Sequence, residues 1–319
     1  MKYSDENSIS QGDKRKAFVS AVVYVHNEQR CVADCVKRLS CLLSESFESS
    51  ELIFADDAST DKSAQTIKEA AQKADCAVSI VSMSYHQGLD LALEAGADLA
   101  VGDFVFELES PEMPYSENCL IELYDKACKG FDIVSLAPKK ANSLSSALYY
   151  TFFNRYAKSQ YKLRSEYCRI VSRRALNRIK SMTKIIPYRK AIFANCGLKQ
   201  DVITVDCAFR SHIQTKQQSR DRMNTAIDSV ILFTNFAFQT SIALSLFMMI
   251  VTAAIGIYAV VIKIKGIPVA GWTSTVLFIS LAFFALFAIL TAIIKYLSII
   301  LNLVYSRLHY VTESIEKIR

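Results

Sequence analysis

The nine cysteines of this chain, at 31, 35, 41, 76, 119, 128, 168, 196 and 207, include no C-x-x-C pair. That argues against a zinc site. Their odd number and irregular spacing predict reduced thiols, buried as small hydrophobes, in a cytoplasmic domain. There is no strong charge imbalance either. A net charge of +6 and a pI of about 8.7 predict no nucleic-acid partner, though mild basicity suits an anionic membrane surface. Residues 1–16 are polar and lack an apolar core, which predicts a polar tail and no signal peptide. No internal repeat or low-complexity linker is visible, and 319 residues leave room for one sizeable domain plus something smaller. The sharpest deficit is positional. No charged side chain occurs from 229 to 262, well beyond the roughly 20 residues that span a bilayer.

What is present begins with alternating strands and helices. Phe18–Val25 is a near-continuous apolar run, as in a strand buried on both faces. His26, Asn27 and Glu28 follow as a polar loop, and Val32–Leu43 has helical spacing. Glu51–Ala55 reads as a strand and Asp61–Lys73 as a helix with Ser/Thr/Asp capping chemistry at its start. Cys76–Met83, Leu89–Leu99 and Asp103–Leu108 continue as strand, helix, strand. This rhythm predicts βαβ units, a mainly parallel Rossmann-like α/β sheet, and strand ends gathered on one side. Further on, 119–129 reads as helix and Phe131–Ala137 as strand. Ser143–Lys162 reads as a core or interfacial helix, Arg169–Lys180 and Lys184–Cys196 as helical pieces, and Asp201–Cys207 as a last strand.

Beyond that domain, taken as 17–222, the pattern predicts an interfacial helix at 223–239. A transmembrane hairpin fills 240–319, with spans near 240–262 and 273–294. The turn between them carries Gly266, Pro268, Gly271 and an interfacial Trp272. Lys295, another apolar stretch to Tyr305 and a basic tail follow. The short turn puts both ends of the hairpin on one side, and Arg220, Arg222, Arg307, Lys317 and Arg319 mark that side as cytoplasmic.

Carboxylates at the C-terminal edge of a sheet lie where α/β folds bind ligands. Asp56 and Asp57 close such a strand, and Asp61 stands just beyond as a ligand or a helix cap. Carboxylates there can take hydrogen bonds from a base or ribose, or ligate Mg²⁺ or Mn²⁺.

Several stretches, in order along the chain, carry a resemblance: VVYVHNE (22–28), ELIFADDASTDKS (51–63), HQGLDLALEAGADLAVGDFV (86–105), CRIVSRRAL (168–176), and AGWTS followed by IIKYLSIILNLVYSRLHYV (270–311). Together they resemble family 2 glycosyltransferases of GT-A fold, and more narrowly the bacterial membrane-anchored polyprenyl-phosphate glycosyltransferases related to dolichyl-phosphate mannose synthase. The resemblance implies a multi-pass protein of the bacterial inner membrane with a cytoplasmic catalytic domain. It would move a sugar, with inversion, from a UDP- or GDP-linked nucleotide sugar to a polyprenyl phosphate, and a homo-oligomer is implied as well.

By the same resemblance, Asn27, Glu28, Asp56, Asp57, Ser59, His86 and Gly88 surround the nucleotide. The family's D-x-D motif falls on Glu107-Leu-Glu-Ser-Pro-Glu112, so Glu109 takes the first carboxylate position and Pro111 the second. Glu109 and Glu107 are the implied metal ligands, with Glu112 assisting, and the ion is Mg²⁺ or Mn²⁺. The family's Arg-Asn-x-Gly-Lys turn reads Tyr85-His86-Gln87-Gly88-Leu89 here, so both cations that would offset diphosphate charge are missing. Arg169 faces the lipid phosphate or lies on a surface helix. Arg220, within the basic stretch Arg210–Arg222, meets lipid phosphates or is simply solvated. Three readings follow: a metal-dependent transferase, a transferase in which Glu109 acts without an ion, or an impaired homologue serving as a partner in membrane glycan assembly.

Overall fold

The structure is a computed structural model. It describes residues 14–139, 144–156, 161–182, 188–206, 272–305 and 310–319, with scattered helical positions between 240 and 254. The chain divides into two compact units, Met1–Thr151 with Ser159–Asp221 and Leu308–Arg319, and Phe152–Lys158 with Arg222–Arg307.

The first unit is built on an eight-stranded sheet. Its elements are β1 (Arg15–Val25), α1 (Gln29–Ser46), β2 (Phe47–Asp56), α2 (Ser63–Ala71), β3 (Ala77–Met83), α3 (Leu89–Leu99) and β4 (Phe104–Leu108). After these come α4 (Asn118–Cys128), β5 (Ile133–Pro138), α5 (Leu144–Tyr156), β6 (Cys168–Ser172), α6 (Arg173–Met182), α7 (Arg189–Asn195), β7 (Gln200–Val205) and β8 (Thr312–Lys317). The strand order is β7-β5-β6-β4-β1-β2-β3-β8. β1 is flanked by β2 and β4, both parallel to it. The chain therefore winds outward through β2 and β3, then returns across β1, and a crevice opens at that reversal.

Residue alternation decides which helix covers which face. Val19, Ala21, Val23 and Val25 of β1 join Leu52, Phe54, Val78, Ile80, Phe106 and Leu108 in one apolar core. That core also takes Val32, Val36, Leu39 and Leu43 of α1, Ile67 of α2 and Leu120 and Leu123 of α4. Each such fully buried side chain contributes about 1.5–3 kcal/mol. α3 lies on the opposite face, where a Cβ on Gly96 would come within 2.3 Å of Val22 Cγ1. Glycine there is what lets helix and sheet approach this closely.

The sheet departs from the expected pattern in two places. β6 runs antiparallel to β4 and β5, although its residues from Arg169 on read in sequence as the start of a helix, Arg169–Lys180. The run Cys-Arg-Ile-Val-Ser is buried between two strands, and pairing overrides the helical pattern that α6 then takes up. The basic tail is likewise not free, because Thr312–Lys317 pairs antiparallel with β3. Its Glu and Lys residues suit an edge strand, and Glu316 meets Lys68 at 2.7 Å. Strand ends are thus mainly, not uniformly, on one side.

In the second unit α8 (Trp272–Tyr305) is a single helix of 34 residues, about 51 Å long at 1.5 Å per residue. The expected boundary at 294 is absent and the helix runs through Lys295, its one charged residue. Many α8 side chains fall outside the described set. Counted over the described residues, no helix is long and apolar enough to cross a membrane, so the expected two-helix hairpin is not found. The 223–239 helix and, apart from scattered helical positions, the 240–262 arm lie outside the described residues, as does Arg220.

Candidate functional site

The loops after β1, β2 and β3 form one hydrogen-bonded assembly. Asp57 sits at its centre and is fully buried. Its Oδ1 accepts the Gln87 backbone N–H at 2.7 Å and its Oδ2 the Gly88 N–H at 2.8 Å. The Tyr24 hydroxyl donates to Oδ2 at 3.2 Å, and His86 Nδ1 lies 2.8 Å from the same oxygen. An ionised carboxylate has roughly four acceptor sites, so Asp57 is fully engaged. Its task is to hold the turn before α3. That turn ends in Gly88 at φ 94°, a backbone conformation that favours glycine.

The neighbouring loops lock to each other. Asn27, at φ 58°, uses its Oδ1 to accept the backbone N–H groups of Thr60 at 2.8 Å and Asp61 at 3.2 Å. The Ser59 and Ser63 hydroxyls accept the backbone N–H groups of Asn27 and Glu28 at 3.0 and 2.9 Å. His26 Nδ1 lies 2.7 Å from the Asp57 carbonyl and its Nε2 3.2 Å from Asn27 Nδ2. A carbonyl only accepts, so Nδ1 carries the proton and Nε2 accepts from Asn27. Asp61 accepts the Ser63 N–H at 2.9 Å and the Gln29 N–H at 3.2 Å. Burial raises its carboxyl pKa, but bonds from Ser63, Gln29 and its own amide bring it below the usual range. Asp61 thus braces the entry to α2 from the position before its N-cap residue, Lys62.

Asp56 is nearly buried but less occupied. The Ser59 N–H reaches its Oδ1 at 3.3 Å. Burial pushes its pKa up, opposed by the bonds from Ser59 and by His26.

The second group hangs on β4, β6 and α7. The antiparallel register sets Glu107 directly opposite Arg169. Glu107 is fully buried and Arg169 and Arg189 nearly so. Arg189 Nη2 bonds Glu107 Oε1, while Arg169 Nε is 3.7 Å from Glu107 Oε2. Arg169 Nη2 also lies 3.3 Å from both Glu109 and Glu166, and Lys190 Nζ lies 2.7 Å from Glu109 Oε1. Both guanidinium groups stack on Phe193, at 4.9 and 5.2 Å, a favourable cation–π arrangement. Burial alone would loosen the protons of Arg169 and Lys190. Glu166, Glu107, Glu109 and Asp90 around Arg169, and Glu109 beside Lys190, outweigh it, so both pKa values rise.

The first turn of α3 joins the two groups. Gly88 gives its N–H to Asp57, and two residues on Asp90 accepts the Arg189 N–H at 3.2 Å. One turn on, Glu94 is buried. Burial pushes its pKa to about 7, with Arg189 pulling it down and Asp98 adding to the rise.

The structure thus brings Asn27, Glu28, Asp56, Asp57, Ser59, His86 and Gly88 together, and separately Glu107, Glu109 and Arg169. Arg169 is not on a surface helix. Sequence reading missed Glu166, Arg189 and Lys190. Their signal was faint: an Arg-Lys pair with an aromatic residue a turn away, far along the chain from Glu109.

The donor set does not fit a divalent ion at Glu107–Glu112. Glu107 is held by Arg189 and Arg169, Glu109 by Lys190 and Arg169, and Pro111 offers no ligand. Among the described residues the one three-ligand group is His26, Asp57 and His86, with candidate atoms within 4.8 Å of one another. It belongs to the hydrogen-bonded assembly, where the two rings lie 4.3 Å apart.

Comparison with known proteins assigns the family. The profile of Glycosyl transferase family 2 matches residues 20–180, which covers β1 to α6. An uncharacterized glycosyltransferase of Synechocystis sp. is 24% identical over 263 residues, 80% of this chain and 82% of the relative. An undecaprenyl-phosphate 4-deoxy-4-formamido-L-arabinose transferase of Edwardsiella ictaluri is 32% identical over 117 residues, 37% of this chain and 36% of its own length. Among solved structures, a mannosyltransferase from Pyrobaculum calidifontis in complex with GDP-Man and Mn²⁺ is 14% identical, with 89% of this chain and 88% of that one covered and a TM-score of 0.44. The chain belongs to glycosyltransferase family 2 and is a transferase.

Proposed function

We propose that the protein transfers a sugar from a UDP- or GDP-linked donor to a polyprenyl phosphate at the cytoplasmic face of a membrane. One observation carries this reading: the first turn of α3 joins Gly88, bonded to Asp57 next to the strand-end carboxylate Asp56, to Asp90, bonded to the backbone of Arg189 beside the cationic cluster of Arg169 and Lys190. Asp56 serves the nucleoside and the cations serve phosphate. Asn27, Ser59, His86 and Asp57 shape the nucleotide loops. The undecaprenyl-phosphate transferases that match part of the chain favour a polyprenyl acceptor.

The sequence pattern after Asp228 motivates membrane attachment, and sheet topology limits its form. β7 and β8 belong to one sheet, so the chain between Val205 and Thr312 crosses any membrane an even number of times. Two stretches of sequence without a charged side chain, 229–262 and 266–294, are each longer than the roughly 20 residues a crossing needs. The sequence pattern remains the sole basis for an interfacial role of 223–239 and for a lipid-phosphate role of Arg220, which precedes it. On this reading the protein is a multi-pass protein of a bacterial inner membrane and forms a homo-oligomer through its spans.

The test is formation of lipid-linked sugar by the purified full chain in detergent, given polyprenyl phosphate and a panel of UDP- and GDP-sugars. Runs with EDTA, Mg²⁺ and Mn²⁺ settle the ion that the family resemblance implies. Product with at least one donor is expected. Absence of both product and nucleotide binding would favour the second reading, a catalytically impaired partner in glycan assembly, which Pro111 at the second carboxylate position supports.

A further inference from the structure

The cationic cluster has an uneven build. Its cations are the deep, fixed members. The side chains of Arg169 and Arg189 are 3% and 4% exposed and that of Lys190 10%, and both arginines stack on Phe193. Arg189 is spent on the fully buried Glu107. Arg169 pairs with Glu109 and Glu166 and Lys190 with Glu109, and these two carboxylates are the more exposed members, at 16% and 15%. A carboxylate that keeps part of its surface in water gives up its place more readily than a cation already stripped of water, which depends on an anionic partner. Phosphate oxygens are the natural replacement for a carboxylate on such donors.

Building on the transferase reading, we infer that Arg169 and Lys190, in place of a divalent metal, receive a phosphate group of the substrate, and that Glu109 and Glu166 are the counter-ions it displaces. The cations missing from the Tyr85–Leu89 turn are thereby supplied from β6 and α7. The shared chemistry is a phosphate oxyanion, which either a nucleoside diphosphate or a polyprenyl phosphate can present.

The experiment is titration calorimetry on the full chain in detergent, with UDP, GDP and a short-chain polyprenyl phosphate in separate arms, each in EDTA and in Mn²⁺. Binding in EDTA is expected in at least one arm, with Mn²⁺ improving it by less than about threefold. Lys190→Met should weaken that arm about tenfold or more, the loss of one charge-assisted contact, and Lys190→Arg should restore most of it. Glu109→Gln should tighten binding in EDTA, because the phosphate no longer competes with a carboxylate; a metal ligand's loss would abolish it. The arm that Lys190→Met weakens identifies the source of the phosphate. Strict dependence on Mn²⁺ together with loss in Glu109→Gln overturns the inference while leaving the transferase reading intact, as does wild-type binding by Lys190→Met with Glu109→Gln no tighter. Absence of binding in every arm and metal condition overturns both.

Discussion

The two halves of the candidate site are held by different physics. At the β1–β3 end, backbone N–H groups and short polar side chains satisfy one another around a single buried carboxylate, Asp57. At the β4–β6 end, long charged side chains reach across the chain and neutralise one another over an aromatic ring. Hydrogen-bonded loops are stiff in every partner they choose, while ion pairs can exchange one anion for another. The first end is suited to holding a shape and the second to changing occupants.

Four substitutions probe that contrast. The largest effect is expected from Arg189→Met, which leaves the fully buried Glu107 without its closest cation; breaking a buried pair costs about 3–5 kcal/mol. Urea denaturation should show it, and Glu107→Leu in the same chain should recover most of the loss. No such recovery is available at the other end. Asp57→Ala strands two backbone N–H groups and the Tyr24 hydroxyl, at about 2–4 kcal/mol. Substituting His86 in addition should not restore stability, since the amides remain.

Glu94 tests whether charge also governs α3 between the two ends. Burial raises its pKa from 4.5 to about 7, so the folded chain binds that proton more tightly than the unfolded one. The stabilising contribution is full below about 4.5 and is lost as pH rises toward 7. Glu94→Gln should flatten that slope and gain on the order of 2–3 kcal/mol at pH 8, from about 1.4 kcal/mol per pH unit. The smallest effect concerns Ala58, held at φ 53° beside Asp57. Ala58→Gly should stabilise by about 0.5–1 kcal/mol, relief of left-handed strain less the entropy glycine adds to the unfolded chain. A loss there would mean that the β2 loop is less tightly specified than its hydrogen bonds imply.

The hydrogen-bonded end was the legible one. Its residues sit in short segments directly after apolar runs, so Asp56 and Asp57 could be placed from local pattern, and Asn27 by the family resemblance. The individual roles were not legible, because only the packed loops show that Asp57 serves the α3 turn and leaves Asp56 the freer carboxylate. The charged end was half hidden. Glu107 and Glu109 lie at the end of a readable strand, but Arg169 lies in a strand that looks helical, and Lys190, on a stretch that does read as helical, carries no local sign that it reaches Glu109. The same cause hid β8: six residues, all polar but Ile315, form a strand because β3 offers them an edge, which no local propensity records.

That late strand bears on how the molecule comes into being. Met83 pairs with Thr312, so during synthesis the ribosome releases β3 long before it makes the partner that seals it. Until then the nascent sheet has an open flank, and the apolar stretches that emerge in the interval must find their own environment first. Closure of β8 on β3 is therefore a late step of biogenesis, and a chain stalled or cut before residue 312 would carry an unsealed sheet.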